Sequence, residues 1–567
     1  MTTNEKITAA KDALLSGNIT GAEKLYQEIL NEEPENFCAM DGLGIVRSHQ
    51  GEISAGIQYF NEALLLLRKN QPESNPQWEA ALLFHIGLAY RSLGHKEEAL
   101  KILAEAASFA PEEPDLLLNL GQLHFDFEHY AEAIGCFRSL TCVQPQNASA
   151  WLTLGYILFR RKQYQEAVEV LQKAETLDVQ SPEICLYLAE SLRNAERYKE
   201  SLPYYQQLLQ LGTEYPQAIH GYGKALLALG NFTDGWDAME FRLLSTFGTW
   251  ERHLLPNWTR ETNREHHNVL VYSEEGIAAD LMFASCLPDF VNTVERCVIE
   301  CDSSLHNLFR RSFPRAEVVN LPQTEVTKQY NLWGIQLDSQ IPMGSLPRFF
   351  RRDRYDFPLR KAYLVPDKEK VTRWANRLAE IGDAKKIGIL WQGNWTAETP
   401  EQTSLPIQEL RQFIAKHSNA AWINLQNGSA QKSLGQRNGR NPYLFSDAFQ
   451  YDLDEIAALL TALDLVITPP GYIAHLAGAL GVNTWLVLPT GADWRHLIDV
   501  KNDEIQTSIW HNSMTVYRQK VRQSWGDVFR TMDNDLEQFL TSHRPPEKMP
   551  TIIAFPSKEQ IALRKVA

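Results

Sequence analysis

The sequence lacks any long, uninterrupted apolar segment. Of its 567 residues 44% are hydrophobic and 22% are charged, and no run approaches the roughly 20 apolar residues that a membrane-spanning helix needs. The stretch Met1–Ala10 also lacks the apolar core of a secretory signal. We therefore expect a cytoplasmic protein with no membrane span.

Cysteine is scarce, and basic residues are fewer than acidic ones. The seven cysteines are an odd number without metal-ligand spacing, so we expect reduced thiols and no bound metal. Acidic residues outnumber basic ones by 70 to 55, and this net charge of −15 disfavours nucleic acid or an anionic membrane as the main partner. The chain is too long for a single core, so several domains are expected.

The most regular feature of the sequence is a step of 34 residues through its first half. A step of this length is typical of helical repeats, in which each unit is a hairpin of two helices. Small residues let the paired helices approach closely, and large residues such as Leu103 and Leu171 fill the space between them. The small residues that keep the step are Gly87, Gly121, Gly155, Ala189 and Gly223.

These units resemble tetratricopeptide repeats, which stack into an all-α superhelix with an inner groove. We expect about six or seven units between residues 3 and 249. The groove would bind a protein or a peptide, and a spacer or a dimerisation arm is the alternative.

Strands alternate with helices in the second half of the chain. This alternation predicts α/β structure with doubly wound parallel sheets, and the length of the region favours two sheets. We expect four parts, at residues 1–249, 250–365, 366–545 and a tail at 546–567. The strand candidates are Val269–Ser273, Cys297–Cys301, Ala316–Asn320, Lys386–Trp391, Ala421–Leu425, Leu465–Thr468 and Thr484–Leu488.

The segment Pro469–Gly471 ends one of these strands, and Tyr472 opens a helix. Open parallel sheets bind ligands at this edge, and the amides of Gly471 and Tyr472 would face an anion such as a diphosphate. His475 would add a hydrogen-bond donor. Alternatively, His475 is a packed helix residue bonded to a neighbouring loop.

A series of motifs covers essentially the whole chain behind the repeats. Together they resemble bacterial glycosyltransferases in which tetratricopeptide repeats precede a heptosyltransferase-like catalytic unit. The motifs are Gly235–Arg242, Glu274–Pro288, Met343–Arg348, Ile387–Gly393, Asn424–Gln426, Leu463–Ile467, Ala474–Gly481, Asp493–Arg495 and Trp510–Gln519.

The resemblance implies the GT-B fold, which is two facing Rossmann-like domains. It also implies transfer of a sugar from a nucleotide-sugar co-substrate, with no metal and no other cofactor. The acceptor would be a protein held by the repeats, such as flagellin or another surface protein. The donor would bind mainly to the C-terminal Rossmann-like domain.

The resemblance places the catalytic base in the loop after the first strand. Relatives read Glu-Gln-Gly-Leu/Ile-Gly-Asp there, whereas this chain has Ala279 at the position of the aspartate and Asp280 one residue later. One helical step turns a side chain by about 100°. The candidate bases are therefore Asp280, Glu274 and Glu275.

Other residues are candidates for binding the donor. Gly471, Tyr472 and His475 would hold the diphosphate, and Gln392 and Asn394 would be polar contacts in the cleft. Arg495 and Arg518 would add positive charge. The loop Thr396–Ser404 carries two acids and no base where relatives carry basic residues, so anion affinity should fall there.

Two functions fit this sequence. The chain is either a glycosyltransferase or a catalytically impaired relative that serves as an interaction or regulatory module. Asp280 facing the cleft, with Arg495 or Arg518 supplying charge, would favour the enzyme. Ala279 facing the cleft among acids would favour the impaired relative.

Overall fold

The chain divides into two compact units, Met1–Asn194 and Ala195–Ala567. None of the helices in the described residues is both long and apolar enough to cross a membrane. The structure is a computed structural model that describes residues 1–70, 76–211, 215–245, 255–259, 267–320, 336–393, 404–426, 443–444, 452–490, 494–497, 506–521 and 524–542.

The first unit is all helical in its described residues. Each helix packs against the next one along the chain, and Asn18, Asn36 and Asn147 cap the starts of three helices through their side chains. The helices are α1 Thr3–Leu15, α2 Ile19–Glu32, α3 Phe37–His49, α4 Ile53–Asn70, α5 Pro76–Ser92, α6 Lys96–Phe109, α7 Pro114–Asp126, α8 Tyr130–Val143, α9 Ala148–Arg160, α10 Tyr164–Leu177 and α11 Pro182–Asn194.

Close helix packing explains the small residues of the 34-residue step. A Cβ atom at Gly87 would lie 2.6 Å from the side chain of Leu103, and one at Gly155 would lie 2.5 Å from the side chain of Leu171. Leu103 and Leu171 are fully buried. The predicted close approach and the predicted filling residues are therefore both present.

The second unit begins with further helices of the same kind. Helix α13 packs against both α12 and α14, and Trp236 on α14 is almost completely buried. Together with the eleven helices of the first unit, the described residues thus contain fourteen consecutive helices before the short α15. These helices are α12 Tyr198–Gln210, α13 Pro216–Ala228, α14 Phe232–Met239 and the short α15 Arg242–Ser245.

The first sheet of the second unit has four parallel strands in the order β3-β2-β1-β4. Strand β1 is buried along nearly its whole length, as expected for a parallel strand covered on both faces. The strands are β1 Asn268–Tyr272, β2 Arg296–Cys301, β3 Ala316–Asn320 and β4 Ser339–Pro342. The helices are α16 Ile277–Phe283, α17 Leu287–Phe290, α18 His306–Ser312 and α19 Pro347–Phe350.

In the described residues the second sheet has seven strands in the order β10-β11-β9-β8-β5-β6-β7, and among them only β10 is antiparallel to its neighbour. The strands are β5 Lys386–Ile389, β6 Ala421–Asn424, β7 Tyr443–Leu444, β8 Leu465–Thr468, β9 Thr484–Leu488, β10 Gln506–Thr507 and β11 Met514–Arg518. The helices are α20 Lys368–Ala379, α21 Ile407–Lys416, α22 Leu453–Thr461, α23 Tyr472–Ala479 and α24 Gly526–Thr541.

Seven of the eleven strands in the described residues match the seven strand candidates to within two residues at each end, and β4, β7, β10 and β11 were not predicted. The α/β character predicted for the second half is therefore confirmed. The boundaries of the four parts stay predictions, and the tail at 546–567 lies outside the described residues.

Candidate functional site

The strand order of each sheet reverses at one place. In the first sheet this place lies between β1 and β4, and in the second sheet it lies between β5 and β8. Ligands of open α/β sheets bind in the crevice at the carboxyl ends of such strands, because the chain leaves the two strands in opposite directions there. The loops after these four strands are therefore the candidate site.

The loops of the two sheets approach each other. Helix α16 follows β1 and packs directly against α23, which follows β8. Tyr363 ties the two helices together, since its hydroxyl donates to the carbonyl of Leu281 (2.6 Å) and its amide donates to the carbonyl of Ala479 (3.0 Å). The carboxyl edges of both sheets thus contribute to one region.

Asp280 lies in the first turn of α16 and is 1% exposed. The Ser273 hydroxyl donates to Asp280 Oδ2 over 2.5 Å. Burial raises the pKa of Asp280 to about 7, and the nearby charges of Glu274 and Glu275 add to the shift. Ala279 is also buried. Asp280 thus has the pKa of a group that exchanges protons near neutral pH.

Glu274 is held by Arg242 at the start of α15. Arg242 Nη2 lies 2.5 Å from Glu274 Oε1, and this oxygen also accepts from the amide of Gly344 over 2.9 Å. A side chain at position 344 would collide with Glu274, so the contact requires glycine. Arg242 is 5% exposed and also donates to the Ser345 hydroxyl. Burial alone would lower the pKa of Arg242, but the adjacent carboxylates raise it. Burial raises the pKa of Glu274, and the charge of Arg242 opposes that shift.

Glu275 connects the two sheets through an ion pair. Arg495 Nη2 lies 2.8 Å from Glu275 Oε2, and the guanidinium of Arg495 stacks over the ring of Trp494 at 4.8 Å. Arg495 is in the 3₁₀ helix Trp494–His496, which follows β9. The guanidinium of Arg495 was expected to bind a phosphate. In this structure it is paired with the carboxylate of Glu275 instead.

Arg518 has a different set of partners. Its Nη2 donates to the carbonyls of His496 (3.0 Å) and Leu497 (2.7 Å), and its Nη1 lies 3.6 Å from Glu196. Leu497 has a φ of +39°, in the left-handed region that is unfavourable for a branched side chain. Arg518 therefore stabilises the backbone that carries Arg495.

His475 lies one turn into α23 and is buried. Its Nδ1 is 3.1 Å from His511 Nε2, and its ring stacks against that of His496 with 6.1 Å between centroids. Burial and the neighbouring histidines hold the pKa of His475 well below its ordinary value, so the ring is neutral. The bond to His511 matches the alternative in which His475 is a packed helix residue bonded to a neighbouring loop. Donation to a phosphate stays a prediction.

Gly471 precedes α23, and within the described residues no side chain caps the helix there. The amides at the start of this helix, including that of Tyr472, point toward the crevice end of the element. Gln392 lies after β5, and its amide donates to Gln426 Oε1 over 3.0 Å. Asn394 and most of the acidic loop Thr396–Ser404 lie outside the described residues.

Three contributors to this site were not predicted as site residues. They are Arg242, Ser273 and Gly344, which hold the carboxylates of the loop after β1. Arg242 and Gly344 do lie within the motifs Gly235–Arg242 and Met343–Arg348, which is the signal that could have identified them. In the part of the chain that the structure describes, no three acidic, histidine or cysteine side chains are grouped as metal ligands.

Comparison with known proteins identifies the repeats. Residues 80–113 and 118–182 match two family models that are both described as "Tetratricopeptide repeat". These segments are tetratricopeptide repeats. The matched stretches include the whole of α6 and α8 to α10.

Protein FlbA of Caulobacter vibrioides is 29% identical to this chain over 299 residues, which is 48% of this chain and 48% of FlbA. The match therefore spans about half the length of that relative. Two solved structures are similar to 34% and 39% of this chain. They are YrrB, a TPR protein described as having an unusual peptide-binding site (15% identity, 96% of its chain, TM-score 0.31), and Pseudomonas aeruginosa pilF (21% identity, 94% of its chain, TM-score 0.32).

The tetratricopeptide repeats and the α/β region are thus supported by different observations. The repeats are established by the family matches, and repeats of this kind generally bind protein partners. The chemistry of the α/β region rests on the geometry of its own residues.

Proposed function

We propose that this protein transfers a sugar from a nucleotide-sugar donor to a protein acceptor that the tetratricopeptide repeats bind. In this proposal the two parallel sheets form a GT-B unit, and the crevice between them binds the donor. One observation supports the proposal most strongly. The strand order of each sheet reverses at one place, and the chain segments that follow those places meet through α16, α23 and the Glu275–Arg495 ion pair.

The residues of the crevice divide into two chemical roles. As the acceptor oxygen bonds to the anomeric carbon, the bond from that carbon to the phosphate oxygen breaks and its electron pair leaves with the nucleoside diphosphate. The amides of Gly471 and Tyr472 and the guanidinium of Arg495 would stabilise that negative charge. The step needs no metal in this scheme.

Asp280 would accept the proton of the acceptor hydroxyl. Glu274 is held by Arg242 and by the amide of Gly344, and Glu275 is paired with Arg495, so both carboxylates already have partners in the loop after β1. Asp280 has a pKa of about 7, which suits a general base at neutral pH. Because Asp280 is 1% exposed, the loop after β1 must open before an acceptor reaches it. The acceptor would be flagellin or another surface protein.

The burial of Asp280 also favours a second candidate function. Its carboxyl group is enclosed and accepts a bond from Ser273, and Arg495 is paired with Glu275. A protein that keeps this arrangement permanently would be a catalytically impaired relative, in which the α/β region regulates or supports binding by the repeats.

Calorimetric titration of the full chain with a panel of nucleoside diphosphates tests the proposal. We expect one nucleotide to bind, and the Arg495→Ala variant to bind it at least about tenfold more weakly because a charge-assisted contact to phosphate is lost. His475→Ala should also weaken binding if its ring donates to the diphosphate.

Arg530→Ala is the matched control, because Arg530 is an exposed arginine on α24 whose ion pair, with Asp527, lies within its own helix. This variant should bind as the wild type does. An absence of heat with every nucleotide would overturn the transferase proposal.

A further inference from the structure

The tetratricopeptide repeats of the first unit carry a continuous surface of aromatic side chains. Phe125 on α7 contacts Tyr156 on α9 with 5.7 Å between ring centroids, and Tyr156 contacts Tyr187 on α11 at 4.8 Å. Phe159, one turn after Tyr156, contacts Tyr187 at 6.0 Å. All four residues are half-buried, so none of them is fully enclosed in the core. We call this set of four residues the aromatic surface.

Leucines extend the aromatic surface along the same helices. Leu118 lies two turns before Phe125 on α7 and is 44% exposed. Leu152 lies one turn before Tyr156 on α9, and helical spacing places it on the same side as that residue. Leu118 and Leu152 keep the 34-residue step, so successive repeats present one apolar stripe.

Two arginines lie at the edge of the aromatic surface. Arg160 lies 5.9 Å from the ring of Tyr156 and donates to its hydroxyl over 3.1 Å. Arg161 lies 5.8 Å from the ring of Tyr130, which in turn contacts Phe125. Each planar guanidinium lies over a ring and has N–H donors that form no hydrogen bond within the described residues, and such donors suit a carboxylate.

These arginines differ from several other basic residues of the first unit. In the described residues neither Arg160 nor Arg161 forms an ion pair with a carboxylate, and both are exposed. Several other basic side chains have such a partner within the unit. The pairs are Arg47–Glu23, Arg68–Glu79, Lys96–Asp126 and Arg138–Glu166.

We infer that the aromatic surface binds an acidic segment of the protein acceptor, in which large apolar side chains lie next to aspartate or glutamate. The apolar side chains contact the rings and the leucines, and the carboxylates pair with Arg160 and Arg161. The inference rests on the proposed role of the repeats in acceptor binding. It does not depend on sugar transfer.

Selection of a random peptide library displayed on phage against the full chain tests this inference. Sequences that bind should be enriched in Leu, Phe or Trp next to Asp or Glu. A synthetic peptide of the enriched sequence, labelled with fluorescein, then gives an affinity by anisotropy without any nucleotide.

Three variants separate the expected contacts. R160E/R161E should bind the peptide at least about tenfold more weakly, because two attractive charges become repulsive. Leu118→Ser should weaken binding about threefold by removing exposed apolar area. Lys101→Glu is the control and should leave binding unchanged, because Lys101 is an exposed lysine on α6, a helix that carries no residue of the aromatic surface.

Several results would overturn the inference. They are a basic or uncharged consensus, no enrichment at all, equal binding by R160E/R161E, or self-association of the chain that the R160E/R161E variant abolishes. Because no nucleotide is present, peptide binding can succeed while nucleotide binding fails, and the two proposals can therefore fail separately.

Discussion

The buried carboxyl group of Asp280 predicts that this protein becomes less stable as pH rises toward 8. The folded protein holds the Asp280 proton up to a pKa of about 7, whereas the ordinary pKa is 3.8. The stabilising effect of this proton is therefore complete below about pH 4 and is lost as pH rises through about 7. Replacing Asp280 with asparagine should remove this loss, because the amide is neutral at every pH and its oxygen can still accept from Ser273.

The size of the effect follows from the two pKa values. They differ by about three units, and each unit corresponds to about 1.4 kcal/mol, so the charged carboxylate costs about 4 kcal/mol at pH 8. Asp280→Asn should therefore raise the free energy of unfolding at pH 8 by about 2–4 kcal/mol, and change it little at pH 4.

Urea unfolding followed by tryptophan fluorescence measures this difference. All but two of the 14 tryptophans, Trp78 and Trp151, follow residue 194, so the signal reports mainly on the second unit. Asp527→Asn is the control, since Asp527 is highly exposed. A variant Asp280→Asn that is no more stable than the wild type at pH 8 would refute the reasoning.

Three further predictions concern other contacts. Glu275→Gln should tighten nucleoside diphosphate binding about tenfold in calorimetry, because Arg495 no longer pairs with a carboxylate; unchanged or weaker affinity would contradict this competition. Arg242→Met should lower the free energy of unfolding by about 3–5 kcal/mol, and adding Glu274→Gln should recover part of that loss; an unchanged unfolding midpoint would show that the pair contributes nothing. Gly155→Val should cost about 1–3 kcal/mol in thermal unfolding through overpacking, and a neutral result would argue against the close helix approach.

Periodicity predicted the regular parts of the fold. The 34-residue step follows from close helix packing, and the apolar strands such as Leu465–Thr468 stand out because both faces of a parallel strand are buried. Strand β4, Ser339–Pro342, was missed because it contains serine, glutamine and proline although it is buried. This segment is a strand because it pairs with β1, and the local sequence does not indicate that pairing.

The candidate site was predictable only in part. Reasoning from strand ends located the loops at Asp280, Gln392 and Gly471, because the edge of a parallel sheet follows from its strands. The partners of the charged side chains were not predictable, since Arg242 and Glu274 are 32 residues apart, and Glu275 and Arg495 are 220 apart. The pKa of Asp280 depends on how deeply the folded chain buries its carboxyl group, so it could not be predicted from the sequence either.

Release of nucleoside diphosphate from a panel of nucleotide sugars tests the central claim most directly. We expect the full chain to release the nucleotide that it binds in calorimetry, with a rate that rises through about pH 7 as Asp280 loses its proton. Asp280→Asn should bind the nucleotide but lose the release. Nucleotide binding without release from any nucleotide sugar, by the wild type and the variant alike, would contradict sugar transfer and favour the catalytically impaired alternative.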